Sequence, residues 1–135
     1  MERSTVPFAL VVDDDALILM LAREILEEAG FRCHEAKSGD EAIALLETHH
    51  DSVVLLFSDV EMPGSTNGFA LARHVDTHWP HIEIVIASGR MTPEPGDMPD
   101  RATFIGKPFA LDMVHAHLRR TLPDGKKPAP LRQAV

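Results

Sequence analysis

The chain alternates between short apolar runs and longer amphipathic segments. Short continuous apolar runs are typical of strands buried on both faces, and they predict strands at residues 8–12, 31–36, 52–57, 83–87 and 102–105. Apolar residues at helical spacing predict helices at residues 16–29, 38–49, 69–78 and 109–122. This order favours an α/β fold with a mostly parallel sheet and helices on both faces.

Two stretches depart from this alternation. Residues 90–101 should hold a helix, but they contain three prolines and Gly96, so we expect a short or irregular segment there. The chain from Pro123 onward has three further prolines and no apolar period. We therefore predict one domain over residues 1–122 and a flexible C-terminal tail over residues 123–135.

Polar side chains follow four of the five predicted strands at the point where each strand ends. In sequence order they are Asp13, Asp14, Asp15, Asp59, Ser88 and Lys107. Because ligands of an open parallel sheet bind outside the carboxyl ends of its strands, we expect these groups to converge at one edge. Asp15 also stands directly before a helix, where it should cap the first turn.

The converging carboxylates predict a site for a hard divalent cation. Carboxylates held close together repel each other, and Mg²⁺ relieves this repulsion through oxygen ligands. We expect Asp14 and Asp59 to bind Mg²⁺ directly and Asp13 to act through water. Asp59 is also the candidate nucleophile, because carboxylates form aspartyl-phosphate intermediates. The Lys107 ammonium and the Ser88 hydroxyl would then contact the phosphoryl oxygens.

Four short motifs occupy these strand ends, namely LVVDDD at residues 10–15, SDVEMPG at 58–64, IASG at 86–89 and FIGKPF at 104–109. In this order, and spanning the chain almost to Leu122, they make it resemble the receiver domain of two-component response regulators. Each motif alone is weakly specific, whereas the ordered set is strongly specific. The resemblance implies a flavodoxin-like, doubly wound sheet of five parallel strands in the order 2-1-3-4-5.

The resemblance also implies roles for individual residues. Asp59 stands where the family has its phosphoacceptor, and Asp13 and Asp14 match the acidic metal-binding pair. The backbone carbonyl of Glu61 matches the third protein ligand of the metal. The remaining matches are the switch hydroxyl Ser88, the invariant lysine Lys107 and the rotating aromatic Phe104.

The resemblance implies that the protein accepts a phosphoryl group in a phosphorelay and is not a separate enzyme. The phosphoryl group should come from a phosphohistidine on a sensor histidine kinase or histidine phosphotransfer protein, and acetyl phosphate should substitute. Asp59 should lose the group by Mg²⁺-assisted hydrolysis. Ser88 and Phe104 should shift and change the face around the fourth strand, the fifth strand and the last helix. The signal should then pass by protein contact, or the domain serves as a phosphate sink.

The sequence departs from the family pattern at three points. The loop after Pro63 (GSTNG) is one residue longer than the commonest form. Prolines disrupt the fourth helix, which belongs to the family's output surface, and we expect none of the DNA-binding domain that usually follows in the family. Glu61 and Arg90 occupy the positions that tune phosphoryl lifetime, which leads to the hypothesis that they pair and shield the phosphoryl group from water.

Charge and composition narrow the partners. A net charge of −8 argues against nucleic acid as the main partner, because phosphate binding needs clustered Lys and Arg. No apolar run is long enough to cross a bilayer, and the N-terminus lacks the apolar segment of a signal peptide. The single cysteine, Cys33, cannot form an internal disulfide. These features favour a cytoplasmic setting.

Other interpretations stay open at this point. A phosphohydrolase of the haloacid dehalogenase class would use Asp13 as its nucleophile, and Asp13 and Asp15 have its DxD spacing, but Leu17 stands where Thr or Val is expected. The fold could also serve as an interaction module that has lost phosphorylation, or as the receiver segment of a hybrid kinase. The eight histidines lack other ligands at metal-binding spacing, so no structural zinc site is expected.

Overall fold

The computed structural model describes residues 6–89 and 92–132, except for the side chain of Arg132. Five strands form one parallel sheet in the order β2-β1-β3-β4-β5, which confirms the predicted topology. The strands are β1 (Phe8–Val12), β2 (Arg32–Ala36), β3 (Val53–Asp59), β4 (Glu83–Ser88) and β5 (Thr103–Gly106). The helices are α1 (Ala16–Glu28), α2 (Gly39–His49), α3 (Gly68–His78), α4 (Leu111–Thr121) and α5 (Ala129–Arg132). None of the helices in these ranges is both long and apolar enough to cross a bilayer.

Both faces of the sheet are apolar, because side chains alternate along each strand. In β1, Ala9 and Val11 belong to the apolar cluster beneath α1 and α4, whereas Leu10 and Val12 belong to the cluster beneath α2 and α3. A strand buried on both faces needs apolar residues at every position. This explains the continuous apolar run in the sequence and why polar residues begin only where the strand ends.

Side chains cap α1, α2 and α3, as the sequence predicts for the first two. The Asp15 carboxylate accepts a hydrogen bond from the backbone N–H of Leu17 at 2.9 Å, and the Ser38 hydroxyl oxygen accepts one from the N–H of Glu41 at 3.1 Å. Asn67 caps α3 in the same way. The caps satisfy N–H groups that have no partner within the helix, and they fix where each helix begins relative to the strand before it.

The segment between β4 and β5 forms no helix over its described residues, 92–102, which confirms the expectation from its prolines. Side chains around α3 hold it in place. The Arg73 guanidinium donates to the carbonyl oxygen of Asp97 at 2.5 Å, and the Arg101 guanidinium donates to the Asp76 carboxylate at 2.5 Å. Side-chain hydrogen bonds to and from α3 therefore fix the position of this irregular segment.

The predicted domain boundary after Leu122 and the flexibility of the tail stay predictions. The described part of residues 123–135 has regular structure and packs against the rest of the chain. It forms a 3₁₀ turn at Asp124–Lys126 and the short helix α5, and Leu131 is only 1% exposed. Gly30 makes room for this segment, since a Cβ at its φ of +106° would lie 2.7 Å from the Cβ of Pro128. Sequence periodicity could not reveal this docking, because a single buried leucine after two prolines creates no repeating pattern.

A stack of aromatic rings beside β2 contains a histidine that we expect to weaken the fold in acid. The ring of His34 lies between Phe8, at a centroid distance of 4.8 Å, and His49, at 4.6 Å. Burial, followed by the nearby His49 and Arg32, holds the pKa of His34 below its ordinary value of 6.5. The unfolded chain therefore takes up this proton at a higher pH than the folded chain, so stability is lost as the pH falls below about 6.5.

We expect the free energy of unfolding, measured by urea titration and circular dichroism, to fall between about pH 7 and about pH 5. His34→Phe should reduce that fall, because a phenyl ring keeps the stacking and takes up no proton. If the wild type and the variant lost the same free energy over this range, His34 would not be the group responsible.

Candidate functional site

Parallel strands bring the predicted site residues to one edge of the sheet. Asp59 and Ser88 are the last residues of β3 and β4, whereas Asp13 and Lys107 directly follow β1 and β5. All five strands run in the same direction, so their carboxyl ends lie together. Residues far apart in sequence therefore meet here.

Lys107 joins two of the acids. Its Nζ atom donates to Oδ2 of Asp13 at 2.9 Å and to Oδ1 of Asp59 at 3.1 Å. The side chains of Asp13 and Asp59 are only 6% and 11% exposed, so these charges interact more strongly than they would in water. The other carboxylate oxygen of Asp13 accepts a hydrogen bond from the backbone N–H of Asp15 at 2.9 Å.

Three carboxylates line this pocket. Asp13, Asp14 and Asp59 each offer an oxygen, and these oxygens all lie within 4.8 Å of one another. Asp13 is buried and Asp14 is exposed, so the group extends from the sheet edge to solvent. Three carboxylates against the single ammonium of Lys107 leave negative charge in excess. Oxygen donors with surplus negative charge could hold a divalent metal ion.

The crowding of these charges shifts two pKa values. Burial and the Asp13 charge raise the pKa of the Asp59 carboxyl, and Lys107 offsets this only in part. Burial lowers the pKa of the Lys107 ammonium, but hydrogen bonds and charge from Asp13 and Asp59 outweigh it and raise the pKa overall. Lys107 therefore stays charged, and the crowding makes ionisation of the Asp59 carboxyl less favourable. A bound cation would relieve that repulsion.

The other predicted site residues surround this centre. Ser88 is 5% exposed, and its carbonyl accepts a hydrogen bond from the backbone N–H of Lys107 at 3.0 Å. Phe104 is half-buried and packs against the apolar cluster on the α2 and α3 side. Glu61 is exposed in the loop after β3. Arg90 lies outside the described residues, so its pairing with Glu61 stays a prediction.

The loop after β3 is held by a contact that sequence reasoning missed. Asp40, in the first turn of α2, accepts hydrogen bonds from the Thr66 hydroxyl at 2.7 Å and the Ser65 hydroxyl at 3.2 Å. At the base of the loop, the backbone N–H of Gly68 donates to the carbonyl of Val60 at 2.8 Å. An acid in a first helical turn is ordinarily explained by the helix dipole. The one available signal was a pair of hydroxyl residues in a lengthened loop.

Gly68 permits the closest approach between α3 and the end of β3. A Cβ at this position would lie 2.0 Å from the carbonyl oxygen of Asp59 and 2.8 Å from the Cα of Val60. Both are backbone atoms, so α3 and β3 would have to move apart. We expect Gly68→Ala to lower the free energy of unfolding by about 3 kcal/mol, as for other overpacked sites.

Gly125→Ala is the matched control for Gly68→Ala, because no atom lies within 4 Å of a Cβ at Gly125. Urea unfolding of both variants beside the wild type measures the difference. A Gly68→Ala protein as stable as Gly125→Ala would show that the close approach of α3 is not required.

Comparison with known proteins supplies a family. A profile described as "Response regulator receiver domain" matches residues 9–119. The chain is 30% identical over 118 residues to the sensor kinase CckA of Brucella abortus (strain 2308), covering 84% of this chain and 12% of that protein. It is 45% identical over 67 residues to the transcriptional regulatory protein ResD of Bacillus subtilis (strain 168), covering 49% of this chain and 26% of that protein. The chain thus spans a small part of these curated relatives.

Solved structures share the fold over nearly its whole length. The chemotaxis response regulator CheY4 of Vibrio cholerae superposes with a TM-score of 0.75 at 25% identity, covering 87% of this chain and 99% of that one. The receiver domain of the hybrid histidine kinase CckA superposes with a TM-score of 0.71 at 27% identity, covering 86% and 99%.

Proposed function

The chain belongs to the family of response regulator receiver domains, and from this premise we propose that it is a phosphoacceptor of a two-component phosphorelay. Asp59 accepts the phosphoryl group from a phosphohistidine on a sensor histidine kinase or a histidine phosphotransfer protein. The observation that supports this most directly is the Asp59 carboxylate at the strand edge, 3.1 Å from Lys107 and among the oxygens of Asp13 and Asp14. The domain is a signalling element and not an enzyme acting on a separate substrate.

The transfer needs a nucleophile and a source of positive charge. An oxygen of Asp59 attacks phosphorus, the P–N bond to the donor imidazole breaks, and the nitrogen keeps the electron pair. The Lys107 ammonium offsets charge on the phosphoryl oxygens, and the Ser88 hydroxyl donates a hydrogen bond to one of them. The phosphoryl group is then lost by hydrolysis. Water attacks phosphorus, the P–O bond to Asp59 breaks, and inorganic phosphate leaves.

The acidic group fits Mg²⁺, which prefers oxygen ligands and retains several waters. Asp14 and Asp59 would bind it directly, with the backbone carbonyl of Glu61 as a third protein ligand. Asp13 would act through water, which agrees with the engagement of both its oxygens by Lys107 and the Asp15 N–H. When bound, Mg²⁺ supplies further positive charge to the phosphoryl oxygens.

Phosphorylation would change the surface formed by β4, β5 and α4. Ser88 and Phe104 lie on the neighbouring strands β4 and β5, which pair residue by residue, with Val85 in the first pair and Gly106 in the last. A shift of the Ser88 hydroxyl toward a phosphoryl oxygen can therefore alter the space open to the Phe104 ring. The result is a change in the populations of two states. The receiver unit of residues 1–122 then signals by protein contact, or holds phosphoryl groups as a sink. A net charge of −8 supports a protein partner and not nucleic acid. The single cysteine, Cys33, supports a cytoplasmic setting.

The geometry is less favourable to the phosphohydrolase alternative, in which Asp13 would be the nucleophile. Asp13 is 4% exposed, and each of its carboxylate oxygens accepts a hydrogen bond. Asp59 is in a better position to attack a donor, because it stands at the end of the central strand and its side chain is 11% exposed against 6% for Asp13.

The proposed function predicts a covalent adduct that depends on the metal. Incubation with acetyl phosphate and Mg²⁺ should add a single phosphoryl group, detected by intact mass spectrometry. EDTA should abolish it, because without the cation the carboxylates repel the incoming phosphate. A protein that forms no adduct with acetyl phosphate or with a panel of sensor kinases would instead be an interaction module that has lost phosphorylation.

A further inference from the structure

We infer that Asp40 is a positioning residue for the acceptor site, because its carboxylate fixes the loop that carries Glu61 toward the metal. This inference rests on the proposed function and adds a residue outside the acidic group. Asp40 lies on α2, and nothing in the sequence motifs of the site includes it. Its contacts, not its own charge at the metal, are the basis of the argument.

The first step is the contact itself. The Asp40 carboxylate accepts hydrogen bonds from the hydroxyls of Thr66 and Ser65. A hydrogen bond from Thr66, then those from the Ser65 side chain and backbone, lower the pKa of Asp40. Hydrogen bonds to a charged acceptor are stronger than those between neutral groups. One side chain of α2 therefore binds two successive residues of the loop after β3.

Two glycines allow α2 and the loop to approach this closely. A Cβ at Gly39 would lie 2.4 Å from the carbonyl oxygen of Thr66, and one at Gly64, where φ is +96°, would lie 3.1 Å from Oδ2 of Asp40. A side chain at Gly39 would push the loop away from the carboxylate, whereas one at Gly64 would force a small shift of the Asp40 side chain and would be strained at this positive φ. The fit between the start of α2 and the loop is thus built into the backbone as well as into the hydrogen bonds.

The loop is consequently fixed at two places. Its base is closed by the hydrogen bond from the Gly68 N–H to the Val60 carbonyl, and its tip is held by Asp40. Glu61 lies between these two points, beside Asp59. Ordering each backbone residue costs roughly 1–2 kcal/mol of conformational entropy, and this loop has one residue more than the commonest form. By holding the tip, Asp40 orders the loop before a cation binds. The entropy cost of ordering the loop therefore does not reduce the free energy of cation binding.

The test separates the contact from the charge. Asp40→Ala removes both, whereas the double substitution Ser65→Ala and Thr66→Val removes the hydroxyls and leaves the charge. Asp51→Ala is the matched control, because Asp51 follows the other end of α2 with a side chain that is 96% exposed. The dissociation constant for Mg²⁺ is measured by isothermal titration calorimetry on five proteins, namely the wild type, these three variants and the triple variant that combines Asp40→Ala with the two hydroxyl substitutions.

We expect Asp40→Ala and the hydroxyl double variant each to weaken Mg²⁺ binding about tenfold, the lower end of the effect of residues that orient metal ligands. Combining all three substitutions should add little, since they break the same contact. Asp51→Ala should bind as the wild type does. Without metal, hydrogen exchange of the Gly68 amide should be faster in Asp40→Ala and in the double variant, and unchanged in Asp51→Ala.

Three results would overturn the inference. If the hydroxyl double variant bound Mg²⁺ as tightly as the wild type while Asp40→Ala did not, Asp40 would act through its charge. If both bound normally while the wild type forms its phosphoryl adduct, the receiver function would stand and Asp40 would have no positioning role. A wild type that neither binds Mg²⁺ nor forms an adduct would refute the proposed function, and the role of Asp40 with it.

Discussion

Replacing Asp59 with Asn is expected to abolish phosphorylation. Asn has nearly the shape of Asp, but its neutral amide is a poor nucleophile and cannot form an acyl phosphate. Intact mass after incubation with acetyl phosphate and Mg²⁺ should therefore show one adduct on the wild type and none on the variant. Asp51→Asn, which removes the same charge from an exposed position, should form the adduct normally.

The Asp59→Asn variant should also be at least as stable as the wild type at neutral pH. Burial and the Asp13 charge raise the pKa of Asp59 in the folded state, so the folded protein is penalised when this group ionises. The penalty is absent below the ordinary carboxyl pKa and grows as the pH rises above it. An amide has no such penalty, and Asp13 still accepts from Lys107. Loss of the adduct with full stability would identify Asp59 as the acceptor, whereas an adduct that persists in Asp59→Asn would refute that assignment.

The fold could be predicted because its burial pattern is written directly into the sequence. β1 and β3 are buried on both faces, so each is a continuous apolar run, which stops at Asp13 after β1 and at Ser58, next to Asp59, in β3. Once the strands were taken as parallel, the meeting of Asp59 and Lys107 followed from where the runs ended. Their separation of 48 residues in sequence is no obstacle, because the sheet sets the distance.

Other features could not be predicted, because they depend on contacts between single residues of different elements. Nothing repeats around Leu131, and Gly30 gives no sign that Pro128 will pack above it. The role of Asp40 could not be predicted either, since an acid at the start of a helix is already explained by its interaction with the helix dipole. The folded structure shows the other partners of the Asp40 carboxylate, because it brings the loop with Ser65 and Thr66 against α2.

Replacing Lys107 with Met is expected to separate metal binding from phosphoryl transfer. The variant keeps the apolar stem of the side chain and loses the ammonium that bonds to Asp13 and Asp59. With that positive charge gone, the three carboxylates should bind Mg²⁺ more tightly. Phosphorylation by acetyl phosphate should nevertheless slow by about 10²–10³-fold, because one fixed donor to the phosphoryl oxygens is missing.

Lys126→Met provides the matched control, since Lys126 also pairs with a carboxylate, that of Glu83 at 2.8 Å, but at the opposite end of β4. Calorimetry gives the Mg²⁺ affinity and intact mass over time gives the rate for both variants. If Lys107 only held the two acids in place, its loss would weaken Mg²⁺ binding and slow transfer together. If Lys107 acts on the phosphoryl group itself, its loss should tighten Mg²⁺ binding and slow transfer. Its charge repels the cation before transfer, whereas during transfer both positive charges stabilise the phosphoryl oxygens.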